Sequence, residues 1–191
     1  MWGNMLHQLT SVTALVTAAG VSTFMACAGF VEYRIKKLRT EPISSGLMGK
    51  FHHVLDAGFI GMCFALAVIG VRLENAVSLL CFFSGIGVFG AMATDSWGLG
   101  GKHRRAWHLN FAKMAYGGAL PLLPLLAWQA HNSLLLYALA ALYPFSVLLA
   151  WIKDRKDTEF IEKTATGAIC VFLLAYCAYL FIHSGLLPLI A

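Results

Sequence analysis

Charge is what this sequence has least of. Only 12% of its 191 residues are Asp, Glu, Lys or Arg, where a soluble domain carries about 25%. So few charges cannot cover a water-exposed surface, and the bilayer becomes the expected solvent. Five cysteines are present, Cys27, Cys63, Cys81, Cys170 and Cys177, but no C-x-x-C. That excludes the usual thiol redox pair and the zinc knuckle, and leaves the cysteines as small apolar residues. H-E-x-x-H is missing too, so a zincin helix is excluded. No Pro- or Ser-rich run divides the chain, so residues 1–191 read as a single domain. The first apolar block has no basic stretch before it, so it does not read as a cleaved signal peptide.

What the chain does have is apolar length. Hydrophobic residues make up 59% of it, in blocks long enough to cross about 30 Å of hydrocarbon at about 1.5 Å per residue. The expected fold is an all-α integral membrane protein with six transmembrane helices in one bundle. They are placed at 9–31, 51–71, 76–94, 106–128, 134–152 and 164–187. Lys and Arg number five, three and four in the gaps after the first, third and fifth helices. The gaps after the second and fourth hold one and none. The positive-inside rule puts the basic loops in the cytoplasm and both termini on the other side. The net charge of +5 is thereby explained without nucleic acid; its partners are the bilayer and anionic lipid headgroups. The expected location is the cell (inner) membrane, multi-pass. Small residues on the first and third helices permit close packing, including self-association into a homo-oligomer. Gly85, Gly87 and Gly90 spell G-x-G-x-x-G, yet no strand precedes them, so they read as a packing face and not as a dinucleotide loop.

Polar residues inside the apolar blocks are the candidates for function. Asp56 lies about 9 Å along the second helix from Lys50, and Lys113 about 10 Å along the fourth from Ala106. Opposite charges at matched depth suggest an Asp56–Lys113 ion pair. His52 and His53 stand four and three residues before Asp56, so either ring can meet that carboxylate on a helix. Asp95, His103 and His108 fall on the same side. Glu32 reads as an interfacial partner of Arg34 or Lys36, and His103 as a solvated loop residue.

Several chemistries could use this cluster. His53, His108 and His52, with Asp56 or Asp95, are zinc or iron ligands; Asp56, Lys113 and Asp95 would then be catalytic. A metal-dependent enzyme acting on a lipid or small amphipathic substrate fits, with the Gly-rich basic loop around Arg104 and Arg105 holding a phosphate. A haem b between His53 and His108, its propionates on Arg104 and Arg105, ranks after zinc and iron as cofactor. A small-solute or proton-coupled transporter could use the Asp56–Lys113 pair, with Asn110 and His53 as relay. The remaining alternative is a non-catalytic structural subunit, its ion pair setting helix register.

LDAGFIGM, followed later by HRRAWHLNF, resembles segments of the haemolysin III, adiponectin-receptor and alkaline ceramidase group. Those are seven-helix proteins with zinc on histidines near the cytoplasmic face. Here His103 and His108 are spaced H-x4-H before the fourth helix, and six spans are expected, so no function is carried over.

Overall fold

The computed structural model describes residues 2–34, 43–48, 50–73, 75–130, 133–153 and 158–183. It describes their side chains too, except at 2–9, 44–46, 75, 150, 151, 153 and 158–161. Long apolar runs without water must satisfy their backbone groups internally, and a helix does so within one segment. Among the described residues there is no strand. Six long helices form: α1 (Trp2–Arg34), α2 (His52–Arg72), α3 (Asn75–Ser96), α4 (Arg104–Gln129), α5 (Leu134–Lys153) and α6 (Thr158–His183). Four segments are long and apolar enough to cross a membrane: Thr10–Arg34, His52–Arg72, Ala76–Ser96 and Glu162–His183. α5 contains the shorter apolar stretch Leu134–Leu149.

The expected spans agree with these helices, with differences at the ends. α6 begins at Thr158, so Glu162 and Lys163 are helical and not in the loop where the charge pattern put them. The mixed charges there form the first turns of the helix. Ile43–Met48 forms a 3-10 turn between α1 and α2. The last residues of the expected sixth helix, 184–187, lie outside the described residues.

The helices form a closed ring. Each packs on its neighbours in sequence, and α6 returns to α1. Contacts at the two ends show the up-and-down order. Glu32 Oε1 accepts from Lys163 Nζ at 2.8 Å and Asp56 Oδ2 from Ser96 Oγ at 2.8 Å at one end. Arg72 donates to Thr10 Oγ1 at 3.3 Å at the other. Glu32 thus pairs with Lys163 on the neighbouring α6; Lys36, one of its expected partners, lies outside the described residues.

Small residues make the helices fit. A Cβ on Gly20 of α1 would strike the carbonyl oxygen of Gly61 on α2, and one on Gly87 of α3 would strike the backbone of Ala115 on α4. Gly90 faces the Phe111 ring, while Gly85 looks toward α2. The G-x-G-x-x-G run is a packing surface, as its context indicated. Outward, every helix presents large apolar side chains: Leu15, Phe64, Leu79, Leu120, Leu142 and Val171 are all about half exposed or more. A soluble monomer rarely shows apolar surface on every side. Trp97, Trp107 and Trp128 are exposed near helix ends, as an interfacial aromatic belt requires.

Candidate functional site

The charged end of the ring holds two polar groupings, and α3 joins them. Asp95 and Ser96 are consecutive at its C-terminus. Ser96 reaches α2 through its hydrogen bond to Asp56, and Asp95 reaches α4.

The first grouping lies on α2. Asp56 is buried. Its Oδ2 accepts from Ser96, but its Oδ1 is also buried and has no hydrogen-bond partner. His52 and His53 open the helix, with ring centroids 3.6 Å apart. Each of His52, His53 and Asp56 offers one ligand atom within 4.8 Å of the others. The i, i+4 and i, i+3 spacings produce this grouping directly, because α2 is helical from His52 onward. His53 is exposed and His52 half-buried, so the cluster opens outward while its carboxylate is held inside.

The second grouping joins α3 and α4. Asp95 Oδ2 lies 2.9 Å from His108 Nδ1, and Asp95 Oδ1 lies 3.4 Å from Arg104 Nε. Arg104 also donates to the Asp95 carbonyl, and His108 Nδ1 lies 3.4 Å from the Ala91 carbonyl oxygen. The loop that makes this possible turns at Gly98, Gly100 and Gly101, all with positive φ. Gly100 is tightest, since a Cβ there would lie 2.9 Å from Trp107 Cδ1. A side chain is disfavoured both by that φ and by the indole.

The structure therefore divides the expected residues. His52, His53 and Asp56 come together. His108 joins Asp95 and is not among the ligand atoms around Asp56, so a metal shared by His53 and His108 is not the arrangement found. Arg104 is engaged with Asp95, whereas Arg105 is exposed on the first turn of α4. Lys113 is exposed and makes no ion pair with Asp56. The Asp56–Lys113 pair is thus corrected: Asp56 is buried and level with Ser96, whereas Lys113 is exposed and lies in the turn of α4 that packs on Gly87. A long lysine stem can carry its ammonium from there toward the interface.

Sequence reasoning missed the partners. Ser96 was placed in a loop, yet it is the one hydrogen-bond donor to Asp56 among the described residues. It also missed a central cavity of about 100 Å3, lined by α1, α2, α3, α4 and α6 together with Ile43 of the 3-10 turn. Its polar lining consists of His108, Glu162, Tyr116, Thr166 and Ser84. The Tyr116 and Thr166 hydroxyls are 2.8 Å apart and satisfy one another. The periodicity of Ala112, Ala115 and Ala119 facing His108 was the available signal. No protein-family model, curated protein or solved structure matches this chain.

Proposed function

We propose that this chain is a six-helix integral membrane protein of the cell (inner) membrane, with both termini on the non-cytoplasmic side. Its working centre is a divalent-metal site at the cytoplasmic end of α2. His52, His53 and Asp56 are the ligands, zinc or ferrous iron the metal, and a lipid or small amphipathic molecule the substrate.

The orientation follows from the Lys and Arg count, which puts the charged end in the cytoplasm. α4 has 26 residues and α5 has 20, about 39 and 30 Å at the helical rise, so both reach across beside the four more apolar spans.

One observation carries the metal reading: Asp56 keeps a buried oxygen, Oδ1, without a donor, in a residue that shares a cluster of ligand atoms with two imidazoles. Leaving a buried carboxylate oxygen unsatisfied costs about 1–3 kcal/mol or more. A cation held by that oxygen and the two ring nitrogens removes the penalty. Two imidazoles and a carboxylate suit zinc or ferrous iron better than calcium or magnesium. Three protein ligands leave a position for water or substrate, which is what a hydrolytic metal site needs. The other chemistries have less support. A cavity of about 100 Å3 is too small for a porphyrin, and a relay through Lys113 lacks its pair.

The test is metal titration. Protein purified in detergent and stripped by chelator should bind about one Co2+ per chain, with visible absorption typical of low-coordinate cobalt. Asp56→Asn and His53→Ala should each abolish it. Unaltered binding in both variants, or none in the parent protein, overturns the assignment.

A further inference from the structure

Lys113 carries a charge that nothing in the chain answers. It is exposed and has no hydrogen bond or ion pair among the described residues. It lies in the turn of α4 that packs on Gly87, about 14 Å along α3 from Ser96. α3 has 22 residues, about 33 Å, so that level is near the middle of about 30 Å of hydrocarbon. A lysine stem reaches roughly 6 Å toward the interface, which leaves the ammonium about 8 Å short. A charge at that depth is costly, and normally faces the bundle interior or a partner.

The surface around Lys113 differs from the rest of the outer side. Ala106, Asn110, Lys113 and Gly117 follow at spacings of four, three and four, so they form one stripe along α4. All four are exposed, and none is a bulky apolar residue. A Cβ on Gly117 would meet nothing within 4 Å, so the stripe is open on its outer side. The other helices turn Leu15, Phe64, Leu79, Leu142 and Val171 outward. Small and polar residues let a second membrane helix approach closely.

A second copy of this chain does not offer the missing anion. Among the described residues, Glu32 is tied to Lys163, Asp95 to Arg104 and His108, and Asp56 is buried. Glu162 is half-buried and has a partner of its own. Each stands within about 6 Å of the charged end of its helix, well short of the level of Lys113.

We propose that the stripe from Ala106 to Gly117 docks a transmembrane helix of a different protein, one carrying an Asp or Glu near the middle of its span to pair with Lys113. This interface rests on α4 crossing the membrane, and not on the metal site. A lipid phosphate is the rival occupant, but phosphates belong to the headgroup layer, at least about 15 Å from the bilayer centre.

The probe is a synthetic Leu/Ala helix of about 20 residues, dansyl-labelled, with one central Asp. Its twin has Leu in place of that Asp. Central placement makes the probe indifferent to its orientation. Energy transfer from the protein's tryptophans to the dansyl group reads association in phosphatidylcholine bilayers. The Asp probe should bind about tenfold more tightly than its twin, as polar contacts between membrane helices allow. Lys113→Met should erase that preference, and Lys113→Arg should keep it. Equal affinity for the two probes, or a preference that survives Lys113→Met, overturns the proposal. So does brominated phosphatidylglycerol gathering around the parent but not around Lys113→Met, with no Asp preference; the occupant is then a lipid. The span itself is read by acetylation with a membrane-impermeant reagent, located by mass spectrometry. Lys113 should react far more slowly than Lys102, which is exposed before α4. Equal rates overturn the six-span reading and this interface with it. A protected Lys113 without an Asp preference overturns the interface alone.

Discussion

Adding one methyl group at two glycines tests how the ring is held together. A Cβ on Gly87 would lie 2.7 Å from the Phe111 carbonyl oxygen and 2.9 Å from Ala115 Cα, besides overlapping the Ala115 amide nitrogen. All are backbone atoms of α4 and cannot swing aside, so Gly87→Ala must push two helices apart. A Cβ on Gly117 meets nothing within 4 Å. Both substitutions gain the same helix propensity, about 1 kcal/mol in water, and that gain cancels between them whatever its size in lipid. The difference isolates the steric cost, about 1–3 kcal/mol for overpacking a well-fitted contact. Unfolding by SDS in mixed micelles, followed by tryptophan fluorescence, reads it directly. Gly87→Ala should unfold at distinctly lower SDS than Gly117→Ala. Gly85→Ala should resemble Gly117→Ala, since its nearest neighbours, Leu66 Cβ at 3.7 Å and the Cys63 carbonyl oxygen at 3.8 Å, are at ordinary contact distance. Gly90→Ala should fall between, because it meets the Phe111 ring, which can rotate in part. Equal midpoints for Gly87→Ala and Gly117→Ala would refute the close approach of α3 to α4.

Two further substitutions probe the charged end. Asp95→Asn removes the carboxylate shared by Arg104 and His108 while keeping the shape; Asp95 is only 10% exposed there. The expected loss is about 1–3 kcal/mol, seen as a lower SDS midpoint, and midpoints matching the parent would show that the contact is idle. Lys113→Met should leave both the unfolding midpoint and Co2+ binding unchanged, because Lys113 is exposed and unattached to Asp56. A marked fall in either would restore the discarded pair.

The helices were legible because hydrophobic length reports directly on what a segment can cross, and charges are too costly in hydrocarbon to be scattered through it. The α2 cluster was legible for a related reason. His52, His53 and Asp56 lie within five residues of one helix, and helical geometry alone brings such neighbours together. Glu162 and Lys163 were misplaced because charge was read as loop. In a helix that extends past the apolar zone, charged first turns are ordinary, and here one of them reaches Glu32 on α1.

Long-range pairing failed on azimuth as well as on depth: Asp56 is level with Ser96 and Lys113 with Gly87, about 14 Å apart along α3. Rise per residue places a side chain along the membrane normal, but its direction advances about 100° per residue, at 3.6 residues per turn. His108 and Lys113 are five positions apart, so they point about 140° away from each other around α4. Once His108 lines the cavity, Lys113 must face away from it, and the exposed Lys113 of the structure follows. Positions four and seven beyond His108, Ala112 and Ala115, return to the inner face. Their small size leaves the cavity open. The same rule explains α3: Ser96 and Asp95 differ by about 100°, which lets adjacent residues serve different helices, one Asp56 and the other His108. Matched depth selects candidates for a buried pair. A second residue known to face inward on the same helix is what decides among them.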